Sequence, residues 1–189
     1  GGYDAPEPLW KHFPFGVCSW GALRASFYHE RLEYADVFAP AFAQRAEELA
    51  QAAVGRGGNQ PGLLGYFWAD CTRWDIAKAR MSHGTDWVSW IRAQPPESSG
   101  RKRYAAFLAE QFQGNAAKLN AAYGLSLAAC EAAATCDFTR LDVSRPMVKQ
   151  HDQAFLRLIA RAYFQTLNQA FRKLAPKAVL FGDRFHLRD

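Results

Sequence analysis

From Pro40 the chain turns helical: Phe42, Ala46, Leu49, Ala50 and Ala53 recur at helical spacing, with Glu47 and Glu48 on the other side. Pro40 suits a first helical turn, and Gly55-Arg56-Gly57-Gly58 ends the helix with residues that accept positive φ. After Pro61-Gly62 comes Leu63-Leu64-Gly65-Tyr66-Phe67-Trp68-Ala69, short, nearly unbroken in apolarity and bounded by breakers. That pattern predicts a strand buried on both faces of a parallel sheet. Short helical pieces follow, notably 86–92, then a helix over 101–113 with Tyr104, Phe107, Leu108 and Phe112 inward. Gly114 and Gly124 bracket another helix over 115–123, and an alanine-rich turn covers 126–134. The longest helix follows Pro146. Its stripe runs Phe155, Ile159, Tyr163, Leu167, Phe171 and Leu174, and Pro176 stops it. Ala178-Val179-Leu180-Phe181-Gly182 is a second strand of the buried type.

This order of helix and strand is the alternation of parallel α/β folds. Residues 1–33 hold no period; Pro6, Pro8, Pro14, Trp10, Phe13, Phe15 and Trp20 mark an irregular segment rich in aromatics. The 189 residues fit one domain. Two strands cannot close an eight-stranded barrel, which takes about 250 residues. The expectation is therefore a single domain over 1–189, an incomplete (β/α)8 barrel segment with βα units over 34–189 and a helical insertion after one strand. Such a partial barrel exposes strand edges, so self-association is expected.

A net charge of +5 invites a nucleic-acid reading. The basic residues are spread along the chain, however, and the clusters Arg101-Lys102-Arg103 and Arg172-Lys173 read as solvated helix faces. No nucleic-acid partner is therefore expected, and a basic helical nucleic-acid module stands only as the last alternative. No apolar run approaches the roughly 18 residues that span a bilayer, so no membrane partner is expected. Cys18, Cys71, Cys130 and Cys136 form no C-x-x-C pair and have no histidine at zinc-ligand spacing. No metal is expected. Neither is a cofactor: Gly55-Arg56-Gly57-Gly58 precedes a strand, the wrong order for a phosphate-binding loop.

In α/β barrels the working residues emerge from the C-terminal ends of strands. Asp70 and the pair Asp183-Arg184 occupy such positions. A carboxylate there can act as acid, base or hydrogen-bond acceptor to a substrate; the plainer roles are a turn cap for Asp70 and a rim ion pair for Asp183 with Arg184. Trp74, just beyond Asp70, is the best candidate for a flat aromatic platform against a bound substrate, and Trp68 reads as core or pocket wall. His83 and His186 have no visible partner set.

Leu64-Gly65-Tyr66-Phe67-Trp68-Ala69-Asp70 resembles the fourth-strand region of β-agarase-like and β-galactosidase-like glycoside hydrolases. Tyr104-x-x-Phe107-Leu108 and Lys118-Leu119-Asn120-Ala121-Ala122-Tyr123-Gly124 resemble the helical insertion after it. Tyr163-Phe164, Ala170-Phe171-Arg172-Lys173 and Pro176 to Phe185 resemble the next helix and strand, and Asp36-Val37-Phe38-Ala39-Pro40 the start of the third barrel helix. The resemblance covers most of the chain from Tyr34. It implies a (β/α)8 barrel, retaining hydrolysis of O-glycosidic bonds in galactan- or agarose-type carbohydrate, and an extracellular or periplasmic location. The family's acid/base is a Glu following an Asn at the end of the fourth strand. Here Asp70 stands at the Asn position and Cys71 at the Glu position, and a thiol is a poor proton donor to a sugar oxygen. Either Asp70 takes the acid role, or the barrel binds sugar without cleaving it. The resemblance places the nucleophile on the seventh strand, outside this sequence.

Overall fold

The computed structural model describes His12, residues 14–18, 34–58, 60–70, 72 and 74–184; for Asp70 and Arg184 it describes the backbone. The elements are β1 (Phe15–Cys18), α1 (Pro40–Gly57), β2 (Leu63–Asp70), α2 (Ile76–His83), α3 (Trp87–Arg92), α4 (Ser99–Gln111), α5 (Ala116–Tyr123), a 3-10 turn (Cys130–Ala134), α6 (Pro146–Leu174) and β3 (Val179–Arg184). The strands form one parallel sheet in the order β1-β2-β3. Parallel neighbours need a crossover, and the intervening helices supply it. The chain divides into two compact units: residues 1–35, 40–73 and 162–189, and residues 36–39 with 74–161.

In the first unit the sheet carries α1 and the end of α6 on one face. Tyr66 and Trp68 of β2 pack against Phe171, at centroid distances of 5.3 and 6.3 Å. Trp68 also touches Tyr163 and Phe164, and Phe42 of α1 meets Tyr163. The buried line of α1 is Phe42, Ala46, Ala50, Ala53 and Gly57. Its small residues let the helix close on the sheet: a Cβ on Gly57 would lie 2.6 Å from Val17 Cγ2. Gly65 serves the strand pairing in the same way, since a Cβ there would collide with the Val179 carbonyl oxygen.

Several expectations are refined. The strand expected over 178–182 is β3 and runs to Arg184, so Asp183 and Arg184 lie within it. Phe15–Cys18, inside the segment read as irregular, is a strand; four residues are too few to show a period. Burial on both faces does not hold. Phe67 stacks on Phe181 at 4.6 Å on the face opposite Tyr66 and Trp68, and Val179 and Phe181 stay 52% and 43% exposed. Leu174, read as the end of the α6 stripe, is 45% exposed.

The second unit is helical, and its helix ends carry the expected caps. Asp75, Asp86, Ser98 and Asn115 each accept a backbone N–H of the helix they open, while Gly84 and Gly124 close α2 and α5 at positive φ. Asp36 accepts from Phe38 N and, at 2.7 Å, from Gly100 N at the start of α4. The apolar core gathers Trp87, Val88, Ile91, Tyr104, Phe107, Leu108, Leu119 and Phe155.

Through this core runs a charged network. Asp152 of α6, 1% exposed, accepts from Arg92 and, at 2.9 Å, from Arg80 Nη2. Arg80 Nε donates to Asp86 at 2.6 Å, and Asp86 also caps α3 through Val88 N and Ser89 N. Arg92 donates to the Tyr104 hydroxyl at 3.2 Å. Arg101, read as part of a solvated face, is 4% exposed. Beside the network, His151 lies among Phe107, Phe112 and Tyr123, with Nδ1 3.1 Å from the Tyr123 hydroxyl. Burial holds its pKa below the ordinary imidazole value, against the opposing pull of Asp152.

Three outcomes follow for stability. Gly65→Ala separates β2 from β3 and costs about 2 kcal/mol or more in chemical denaturation. Asp152→Ala leaves Arg92 buried without its carboxylate and costs about 3–5 kcal/mol; a loss below about 1 kcal/mol would mean the network is dispensable. His151 binds its proton more readily when unfolded. Its contribution is therefore complete above a pH of about 6.5 and is lost as pH falls from there towards the folded value. Thermal melts across this range show the loss in the native chain and a smaller one in His151→Gln.

Candidate functional site

The two strand ends singled out from the sequence are neighbours. Gly65 pairs with Val179, Tyr66 with Leu180, Phe67 with Gly182 and Asp70 with Arg184, all in parallel. The register shifts between Tyr66 and Phe67 and again between Phe67 and Asp70. In β3 the shift coincides with Gly182, whose φ of 75° favours glycine. The bulge sets the orientation of the residue that follows it.

That residue is Asp183. It is buried, and its Oδ1 accepts a hydrogen bond of 2.8 Å from the Tyr163 hydroxyl on α6. Tyr163 is fully buried, and burial first, then the charge of Asp183, pushes its phenol pKa well up. The phenol is thus a permanent donor, and the carboxylate keeps a fixed direction at the end of β3. Thr72, just past β2, is also buried, at 4% exposure. Cys18 closes β1 in pairing register with Phe67.

Of the residues selected from the sequence, Asp70 stands at the end of β2 and Arg184 at the end of β3, paired through their backbones; their side chains lie outside the described residues, as do Cys71, Arg73 and His186. Trp68 is 4% exposed, walled by Tyr163, Phe164 and Phe171, and its Nε1 finds no hydrogen-bond partner among the described residues. Trp74 belongs to the second unit. It is half-buried and stacks on Trp87 at 5.0 Å with an interplanar angle of 21°. From the sequence, Tyr163 stands in an apolar stripe and in a family-like helix motif but not among the site residues. The available signal was its hydroxyl, which needs a partner once buried.

Among the described residues no group of three His, Cys, Asp or Glu could hold a metal ion, and no helix is long and apolar enough to cross a membrane. Cys130 is buried and Cys136 half-buried, and both are free thiols.

Among the described residues, a three-stranded parallel sheet with six α-helices places the chain in the α/β class. Within that class its likeness is to agarases. An exo-β-agarase matches over 97% of this chain with a TM-score of 0.76 at 20% identity, over 26% of its own length. PfGH50B matches over 95% of this chain with a TM-score of 0.74 at 20% identity, over 26% of its length. The agarase AgWH50C matches over 97%, with a TM-score of 0.75 at 19% identity, over 27% of its length. The chain thus spans about a quarter of the length of these proteins and shares the fold of that part. No protein-family model matches it, and no curated protein does.

Replacing Tyr163 by Phe removes the donor to Asp183 and leaves a buried carboxylate short of a hydrogen bond. The expected loss is about 1–3 kcal/mol in denaturant unfolding. A variant as stable as the native chain would show that Asp183 does not depend on this contact.

Proposed function

We propose that this chain is part of a carbohydrate-active hydrolase that cleaves O-glycosidic bonds in galactan- or agarose-type saccharides. The observation that carries the proposal is the agreement in fold with agarases along nearly the whole chain. The fragment would be βα units of a (β/α)8 barrel, in which β2 and β3 supply neighbouring strand ends to the catalytic mouth.

In this reading Asp70 is the proton donor to the leaving sugar oxygen. Asp183 and Arg184 contact sugar hydroxyls, Trp74 offers a ring face to the C–H face of a sugar, and Trp68 backs the pocket wall. Retaining hydrolysis needs a second carboxyl group about 5–5.5 Å away, and inversion one about 6.5–9.5 Å away. The reading assigns that second carboxyl to a strand outside residues 1–189. The hydrogen bond from Tyr163 to Oδ1 fixes the direction in which the Asp183 carboxylate meets the sugar.

In the full-length protein, Asp70→Asn lowers kcat on agarose-derived oligosaccharides by roughly 10²–10⁴, read by release of reducing ends. Unchanged turnover removes Asp70 from the mechanism. Trp74→Ala raises KM roughly tenfold, equivalent to about 1.4 kcal/mol of binding, with kcat little changed. Cys71 at the position of the family's acid motivates a second reading, a barrel that binds sugar without cleaving it. Tight oligosaccharide binding with no release of reducing ends selects that one.

A further inference from the structure

Three guanidiniums, Arg80, Arg92 and Arg101, line a cavity of about 540 Å³ within the second unit. That volume lies in the range of small-molecule sites, about 300–1,000 Å³. Phe138, Cys136 and Asp137 also line the cavity. Arg80 and Arg92 already have carboxylate partners in Asp86 and Asp152, each 1% exposed and neither lining the cavity. The Arg80 side chain remains 26% exposed.

Arg101 is held differently. It is 4% exposed, donates through Nε to the Ala134 carbonyl at 3.0 Å and through Nη2 to the Cys136 carbonyl, and lies over the Phe138 ring at 4.6 Å. Among the described residues it makes no ion pair. A guanidinium taken out of water without a counter-charge carries a penalty of several kcal/mol. Burial accordingly pulls its pKa down. Asp137, the one carboxylate on the cavity wall, is exposed, and its Oδ1 is turned to Thr139 N at 2.9 Å. Solvent screens it, so it offsets little of the cationic field inside.

We propose that this cavity is an oxyanion site that takes the sulfate ester or carboxylate of an acidic saccharide, with Arg101 as the principal partner and Arg80 and Arg92 beside it. The planar fork of Arg matches a two-oxygen acceptor edge, which a sugar hydroxyl does not present. The saccharide part rests on the function proposed above, whereas the oxyanion part stands on the cavity alone.

Calorimetric titration of the full-length protein separates the two, with three probes: inorganic sulfate, a sulfated galactan oligosaccharide and a neutral agarose oligosaccharide. The sulfated oligosaccharide should bind, weakening at least tenfold in Arg101→Met, while the neutral one is unchanged by that substitution. Arg101 also anchors the segment at Ala134, so a second variant leaves it in place: Thr139→Glu adds a carboxylate to the wall and should weaken the sulfated ligand alone. Binding of inorganic sulfate without the sulfated oligosaccharide would overturn the saccharide assignment and leave a site for free anions. Equal affinity for sulfated and neutral oligosaccharides, or indifference to both substitutions, would overturn the oxyanion site. Failure to bind or cleave the neutral oligosaccharide counts against the agarase-like reading and leaves the sulfate result standing.

Discussion

The parallel register of β2 with β3 is the constraint on which the first unit's chemistry depends. Two parallel strands in contact bring their C-terminal ends to one edge, and here that edge receives Asp70 opposite Arg184, with Asp183 one residue earlier. The register is held on one face by Tyr66 and Trp68 against α6 and on the other by the Phe67–Phe181 stack. A slip of one residue would send each of these side chains to the opposite face. Gly65 keeps the two backbones at pairing distance, and Gly182 adopts the positive φ found where the register shifts.

Much of this was legible in the sequence because apolar periodicity reports burial, and burial shapes the fold. The helix after Pro40, the long helix after Pro146 and the two apolar runs between breakers all stand where their patterns put them. The pattern reaches less far where an element is short or one-sided. Phe15–Cys18 is too brief to show a period, and α2 has almost no apolar asymmetry to display. A run such as Val179-Leu180-Phe181 is apolar on both faces whether or not both are covered, so its exposed face could not be read.

Polar chemistry was legible only in part, for a different reason. Strand-end position picks out Asp70, Asp183 and Arg184 without coordinates, because topology alone delivers them. The partners of buried charges come from distant parts of the chain and leave no local signal. Asp183 meets Tyr163 across twenty positions, and Asp152 meets Arg92 across sixty. Arg101 sits in a run of three basic residues that looks solvated, yet only Arg103 of the flanking pair reaches a surface carboxylate, Glu110, while Arg101 turns inward.

The buried charges of the second unit therefore divide by how they are satisfied. Asp152, Asp86, Arg92 and Arg80 form a network in which every charge has an opposite at hydrogen-bond distance. Such a set fixes the relative placement of α2, α3 and α6, and its loss is felt as instability rather than as altered chemistry. Arg101 is satisfied in its hydrogen bonds but not in its charge, since carbonyl oxygens lend only partial negative charge. A fold that needed only to pin the Ala134 segment could do so with a neutral donor at lower desolvation cost. Retaining a full cation there, on the wall of a cavity, makes sense when the missing negative charge arrives from outside the chain.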